Sequence, residues 1–181
     1  GFVKFLPGAG IGGHCIPLAP HYLAEVCALK KLSPAFIGLA QRANDRMVPH
    51  LLSEITHQLQ ADGKLLSGAR VLVVGVTYQP GVADIRDSPG IKLLRALEAA
   101  GARVQYYDPN IPEVYIDGRV LKCVTRAQWK TGRWDVAVVV TPLSEVDSQH
   151  LNSRARTIII PGTQPIKGFG LKYESQPSKL G

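Results

Sequence analysis

The sequence predicts an α/β chain in which a long central helix is followed by a doubly wound parallel sheet. Three observations carry this reading. Apolar residues recur with a 3.6-residue period through Ile37, Ala40, Ala43, Met47, Leu51, Ile55 and Leu59. Beyond Gly68 the pattern changes to short β-branched runs such as VLVVGV and VAVVV. Helix-like segments separate those runs, as in a parallel sheet covered on both faces.

Taken in order, residues 1–20 are dense in Gly and Pro and read as irregular. A short helix is expected over 21–31, with Leu23, Val26 and Cys27 on one face. Ser33-Pro34 reads as an N-cap followed by Pro at the first helical position. The helix it opens runs about 25 residues, is bent or interrupted near Pro49 and stops at Asp62-Gly63. Residues 1–62 thus make one unit and residues 63–181 a second. In the second, 70–76 is a buried strand, and 88–100 is a helix with Ser88 as N-cap, Pro89 in its first turn and Gly101 as its stop. Strands follow at 103–108, at 119–124 (shorter), at 134–141 and at 157–160, with helical segments at 126–130 and 144–151. The sheet is Rossmann-like. Yet GVTYQPGVADIRDSPG after its first strand keeps only Gly75 of the G-x-G-x-x-G spacing that a dinucleotide loop needs. The polar tail KYESQPSKLG is expected to fray.

Composition narrows the function classes. A 45% hydrophobic content builds a core without disulfides or metals. No apolar run approaches the roughly 20 residues of a membrane span, so no membrane partner is expected. No charged-then-apolar leader is present, and the start at Gly1 reads as a piece of something longer. Cys15, Cys27 and Cys123 are too widely spaced for a disulfide framework or a metal site. They suit a reducing cytoplasm, with Cys27 and Cys123 as buried bystanders. The net charge of +7 admits anionic partners. The densest basic stretch, Arg119, Lys122, Arg126, Lys130 and Arg133, reads equally as a solvated face or a ligand-related one. It lacks interleaved aromatics, so nucleic acid is not expected.

The stretch GIGGHCIPLAP places Cys15 behind Gly12 and Gly13. A thiolate nucleophile needs close approach of its substrate, and glycines leave space and exposed N–H groups. A small buried cysteine in a Gly/Pro loop is the alternative. Two stretches carry a resemblance. GIGGHCIPLAPHYL resembles the catalytic-cysteine segment of the UDP-glucose/GDP-mannose dehydrogenase family, roughly G-x-G-G-x-C-x-P-x-D-P-x-x-L. VLVVGVTYQPGVADIRDSP resembles that family's C-terminal signature, roughly G-x-x-Y-K-P-x-x-x-D-x-R-x-S-P. AQRANDRMVPHLLSEI is similar to the family's central helix, and YYDPNIPE fits as well. GGHC followed by IP is most like bacterial enzymes acting on UDP-N-acetylhexosamines or UDP-hexoses.

The resemblance implies a homodimer through residues 34–60 and a UDP-sugar-binding domain. It implies NAD on an N-terminal domain that this chain lacks, so no cofactor and no metal is expected here. Cys15 matches the nucleophile that attacks the C6 aldehyde, goes on to a thioester and is released by water. Gly12, Gly13, Tyr78, Gln79 and Arg86 match substrate-side positions. Tyr78 either flanks uracil or sugar or closes the core; Arg86 pairs with a carboxylate. Several positions depart from the pattern. Ala19 stands for Asp and cannot transfer a proton. Gln79 stands for Lys and carries no charge. Ala83 replaces the first Asp of D-D-x-R, and Pro161 and Thr163 stand where Asp and Arg of D-x-R-N belong. These changes imply a chain inactive alone that binds, or formerly bound, a UDP-sugar. The alternative is a non-catalytic dimerising or regulatory module derived from that family.

Overall fold

The computed structural model describes residues 8–146, 148–163 and 166–167. Three helices come first, α1 (Cys15–Leu29), α2 (Ala35–Asp45) and α3 (Met47–Ala61). There follow β1 (Arg70–Val74), α4 (Pro89–Ala99), β2 (Arg103–Tyr107), β3 (Glu113–Ile116), β4 (Arg119–Lys122) and α5 (Arg126–Thr131). The described chain closes with β5 (Trp134–Val139), α6 (Ser148–Asn152), β6 (Ala155–Ile159) and β7 (Ile166–Lys167).

The sheet has the order β2-β1-β5-β6-β7. Its first four strands are parallel, and β7 runs antiparallel to β6. The chain leaves β1 for β2 on one side and returns to β5 on the other. The switch in strand order therefore lies between β1 and β5, the usual ligand crevice of such sheets. Both faces of β1 are buried, which is why its sequence is a continuous apolar run and not an alternation. Val71 and Val73 face a core built with Leu51, Ile55 and Leu59 of α3 and Leu93, Leu94 and Leu97 of α4. Leu72 and Val74 face a second core with Trp129 of α5 and Leu151 of α6.

The α/β class and the doubly wound order stand as expected; several elements do not. The first helix starts at Cys15, not at residue 21, so the Gly/Pro run is irregular only as far as His14. Pro17 sits in its first turn, where a missing N–H costs nothing, although Pro20 lies inside the helix. The long helix is interrupted near Pro49, as one of the two expectations had it, but the break lies at Arg46 and Pro49 itself falls in the first turn of α3. Pro34 is the residue before α2, and no side chain caps that helix. The strand expected at 119–124 stays out of the main sheet and pairs with β3 as a separate antiparallel hairpin. Its turn is Asp117-Gly118, with φ of 44° and 89°, the dipeptide that a two-residue hairpin demands. That signal was present in the sequence and was not read as a turn. The helix expected over 144–151 is confined to 148–152. The tail KYESQPSKLG lies outside the described residues. Among the described residues no helix is long and apolar enough to cross a membrane, and no cluster of three His, Cys, Asp or Glu can hold a metal.

Candidate functional site

At the carboxyl ends of the strands the switch point is tightly stitched. Gly75 has φ of 77°, and a Cβ there would stand 2.2 Å from the Thr141 carbonyl oxygen, so only glycine lets the exits of β1 and β5 meet. Thr141 Oγ1 donates to the Thr77 carbonyl at 2.6 Å. Asp108, fully buried at the end of β2, accepts from the N–H groups of Val76 (2.9 Å) and Thr77 (3.1 Å) and from Thr77 Oγ1 (3.2 Å). Its other oxygen accepts from Asn110 N at 3.0 Å. In a dinucleotide-binding sheet an acid near this place binds a ribose. Here its oxygens are committed to backbone N–H groups and the Thr77 hydroxyl, and the loop beside it lacks two of the three glycines.

The loop from Thr77 to Ser88 is ordered by its own polar residues. Ser88 Oγ donates to Val76 O at 2.6 Å and accepts from Gly90 N at 3.1 Å, capping α4 while tying it to β1. Tyr78 N donates to Asp84 O at 3.0 Å. Arg86 grips Asp84 from Nε (2.9 Å) and Nη2 (2.5 Å), with its backbone N–H adding a bond of 2.9 Å. The hydrogen bonds from Arg86 hold the Asp84 carboxyl below the usual carboxylate range. The Arg86 side chain stays 62% exposed, so its positive edge still faces solvent.

The cysteine segment docks on this loop. Gly13 N donates to Arg86 O at 2.8 Å, and Ile11 N donates to Asn44 Oδ1 at 2.7 Å. A Cβ on Gly13, whose φ is 92°, would stand 3.1 Å from two ring carbons of Tyr78. One on Gly12 would stand 2.9 Å from Pro89 Cδ. The two glycines were expected to leave N–H groups and space for substrate. Gly13 instead spends its N–H on Arg86, and both glycines leave space for Tyr78 and Pro89. Cys15 is exposed as the first residue of α1, so it is not a buried structural thiol. Its Sγ lies 4.0 Å from His14 Nδ1.

Gly12, Gly13, Cys15, Tyr78 and Arg86 therefore come together from stretches far apart in the chain. Tyr78 is half-buried under the glycines, and Gln79 follows it exposed. Ala19 is exposed one helical turn beyond Cys15, so a carboxylate there would share the cysteine's face. Thr163 turns its hydroxyl onto Ile160 O at 2.8 Å, just after β6. Two residues that hold the site were missed, Asn44 and Asp108. Each sits inside a stretch already matched to the family, but nothing local marks a side chain that will bond across the fold. Cys27 and Cys123, expected to be buried, are half-exposed. Burial of that extent still pushes the Cys123 thiol up.

Residues 72–166 match the UDP binding domain of the UDP-glucose/GDP-mannose dehydrogenase family. The chain belongs to that family. One relative, the UDP-N-acetyl-D-mannosamine dehydrogenase of Methanococcus maripaludis, is 33% identical over 104 residues, covering 58% of this chain and 23% of the relative. The UDP-glucose 6-dehydrogenase AglM of Haloferax volcanii is 31% identical over 176 residues, 93% of this chain and 39% of the relative. The solved structure of a UDP-D-ManNAc dehydrogenase from Pyrococcus horikoshii superposes with a TM-score of 0.68 at 26% identity, over 85% of this chain and 35% of that one. This member of the dehydrogenase family thus spans well under half the length of these relatives. The match over 72–166 takes in Tyr78, Arg86 and the switch point; Cys15 lies before it.

Proposed function

We propose that this chain is the UDP-sugar-binding half of an NAD-dependent nucleotide-sugar 6-dehydrogenase, which converts a UDP-sugar to its UDP-uronic acid. The observation that carries the reading is the docking of the Cys15 segment on Tyr78 and Arg86 beside the sheet's carboxyl ends. In this reading Arg86 offers its exposed guanidinium edge to the diphosphate, and Tyr78 flanks the uracil or sugar. Cys15 is set to add its thiolate to an aldehyde carbon, the electron pair of the C=O moving to oxygen. The oxidations on either side of that addition are assigned to no residue of this chain. With Ala19, Gln79 and Thr163 at positions where the family has functional groups, binding outlasts chemistry. Three free thiols suit a reducing compartment, and the cytoplasm is our assignment.

Titration calorimetry tests this with UDP, UDP-glucose and UDP-N-acetylglucosamine as ligands and NAD as the control. A UDP dissociation constant on the order of micromolar, no heat from NAD, and a loss of about tenfold in Arg86→Ala are expected. Absence of UDP heat, or UDP heat indifferent to Arg86, rejects the reading.

One observation favours the second reading, a non-catalytic dimerising or regulatory module. Neither α1 nor α2 buries a residue, and Phe36, Leu29 and Tyr22 are 81%, 76% and 70% exposed. A cavity of about 260 Å³ between the two helices is lined by Ile16, Pro17, Phe36 and Ile37. Residues 34–60 were the expected dimer face. Its α3 half is covered by α4 within the chain, which leaves α2, joined by α1, for the second copy.

A further inference from the structure

An arginine stands at the start of each of the four parallel strands or immediately before it. Arg103 starts β2, Arg70 starts β1, Arg133 immediately precedes β5 and Arg154 immediately precedes β6. The chain scatters them, and the order β2-β1-β5-β6 collects them into one row along the amino-terminal edge, with strands about 4.8 Å apart. Arg70 and Arg103 are register partners, and like charges side by side on paired strands repel. Arg119, which opens β4, joins them: Arg70, Arg103 and Arg119 line an open cavity of about 580 Å³ with Ala102, Gln105 and Leu121, and no carboxylate lines it.

The rest of the row continues the pattern. Arg70 and Arg133 border a second cavity of about 210 Å³, where Lys64 is paired with Asp135. Arg70 is steadied by the Trp134 ring, its guanidinium 5.3 Å from the centroid. The Arg154 Nε is buried with no hydrogen-bond partner among the described residues. Two compensating charges need weighing. Glu98 pairs with Arg119. The C-termini of α3, α4, α5 and α6 end at this edge, and each carries about half a negative charge at most. The densest basic stretch in the sequence is not this set. Arg119 and Arg133 belong to the row, whereas Lys122, Arg126 and Lys130 line neither cavity.

We propose that this amino-terminal edge is a second anion site, which takes a small ligand with two or more phosphoryl charges. Guanidinium is always protonated and forks onto phosphate oxygens, and adjacent guanidiniums suit a ligand of more than one charge. The larger cavity has the volume of an ordinary ligand pocket. It lies at the opposite end of the strands from Cys15 and Arg86, so it does not depend on the UDP-sugar reading.

Inorganic pyrophosphate, titrated calorimetrically into the full chain, is the probe. Arg103→Gln and Arg119→Gln change exposed side chains, and circular dichroism verifies their fold. Each is expected to bind pyrophosphate roughly tenfold more weakly. Lys122→Gln, an equal change of charge away from both cavities, is expected to bind as the parent does. UDP binding that is lost in Arg86→Ala and retained in Arg103→Gln separates the two sites. No pyrophosphate heat, or heat unchanged in both arginine variants, overturns the proposal. So does a thymidine oligonucleotide that binds through Arg103 more tightly than pyrophosphate, because the ligand would then be a polymer.

Discussion

Asp84 and Arg86 are two residues apart in a loop, and their ion pair shapes the surface on which the cysteine segment rests. Its effect on stability has a definite sign. Arg86 holds the folded carboxyl below the ordinary value, so the stabilisation is complete above about pH 4 and is lost as pH falls through the folded pKa. Asp84→Asn is therefore expected to flatten the acid limb of the stability curve below about pH 4. The change at neutral pH is small, because the pair is solvent-screened. Urea midpoints measured from acid to neutral pH check this; an unchanged acid limb in the variant is the contrary result. That Arg86 pairs with a carboxylate was expected from D-x-R; that the carboxylate is Asp84 comes from the structure. The role of Gly12 and Gly13 was not. Spacing shows that a Cβ is excluded there, but not whether substrate, Tyr78 or Pro89 excludes it.

For the helices, local chemistry and packing divide the outcome. Ser88 was readable as a cap because capping needs only its neighbours in sequence, and the structure adds a second bond to Val76 O. Ser88→Ala should cost about 1–2 kcal/mol, since the buried Gly90 N–H and Val76 C=O both lose a partner. Denaturant unfolding monitored by far-UV circular dichroism measures it; a loss within error would mean that water replaces the hydroxyl. An interruption near Pro49 was expected, but its place at Arg46 was not readable. Apolar periodicity runs through it unbroken, and what divides the helix is that α3 lays Leu51, Ile55 and Leu59 on α4 while α2 has no such partner. Asp117-Gly118 was readable, and missing it sent β4 into the wrong sheet.

Over the whole molecule, apolar surface is unevenly distributed. The sheet and its covering helices are densely buried, whereas α1 and α2 expose Tyr22, Leu29 and Phe36. Under the dimer proposal these side chains are covered by a second copy. Phe36→Glu is expected to convert a dimer to a monomer by sedimentation velocity without lowering the unfolding midpoint of the monomer, because Phe36 touches no core. A parent chain that sediments as a monomer would reject the interface. By itself the sequence determined the α/β class, the strands of the doubly wound sheet, the Ser88 cap and the family, because short-range periodicity, capping and motif spacing are written in consecutive residues. Only the tertiary structure decided that Gly13 meets Tyr78, that Asp108 faces inward to the β1 loop, and that arginines dozens of residues apart form one row. Those outcomes depend on which strand lies beside which, and strand order is a property of the packed sheet that no local stretch encodes.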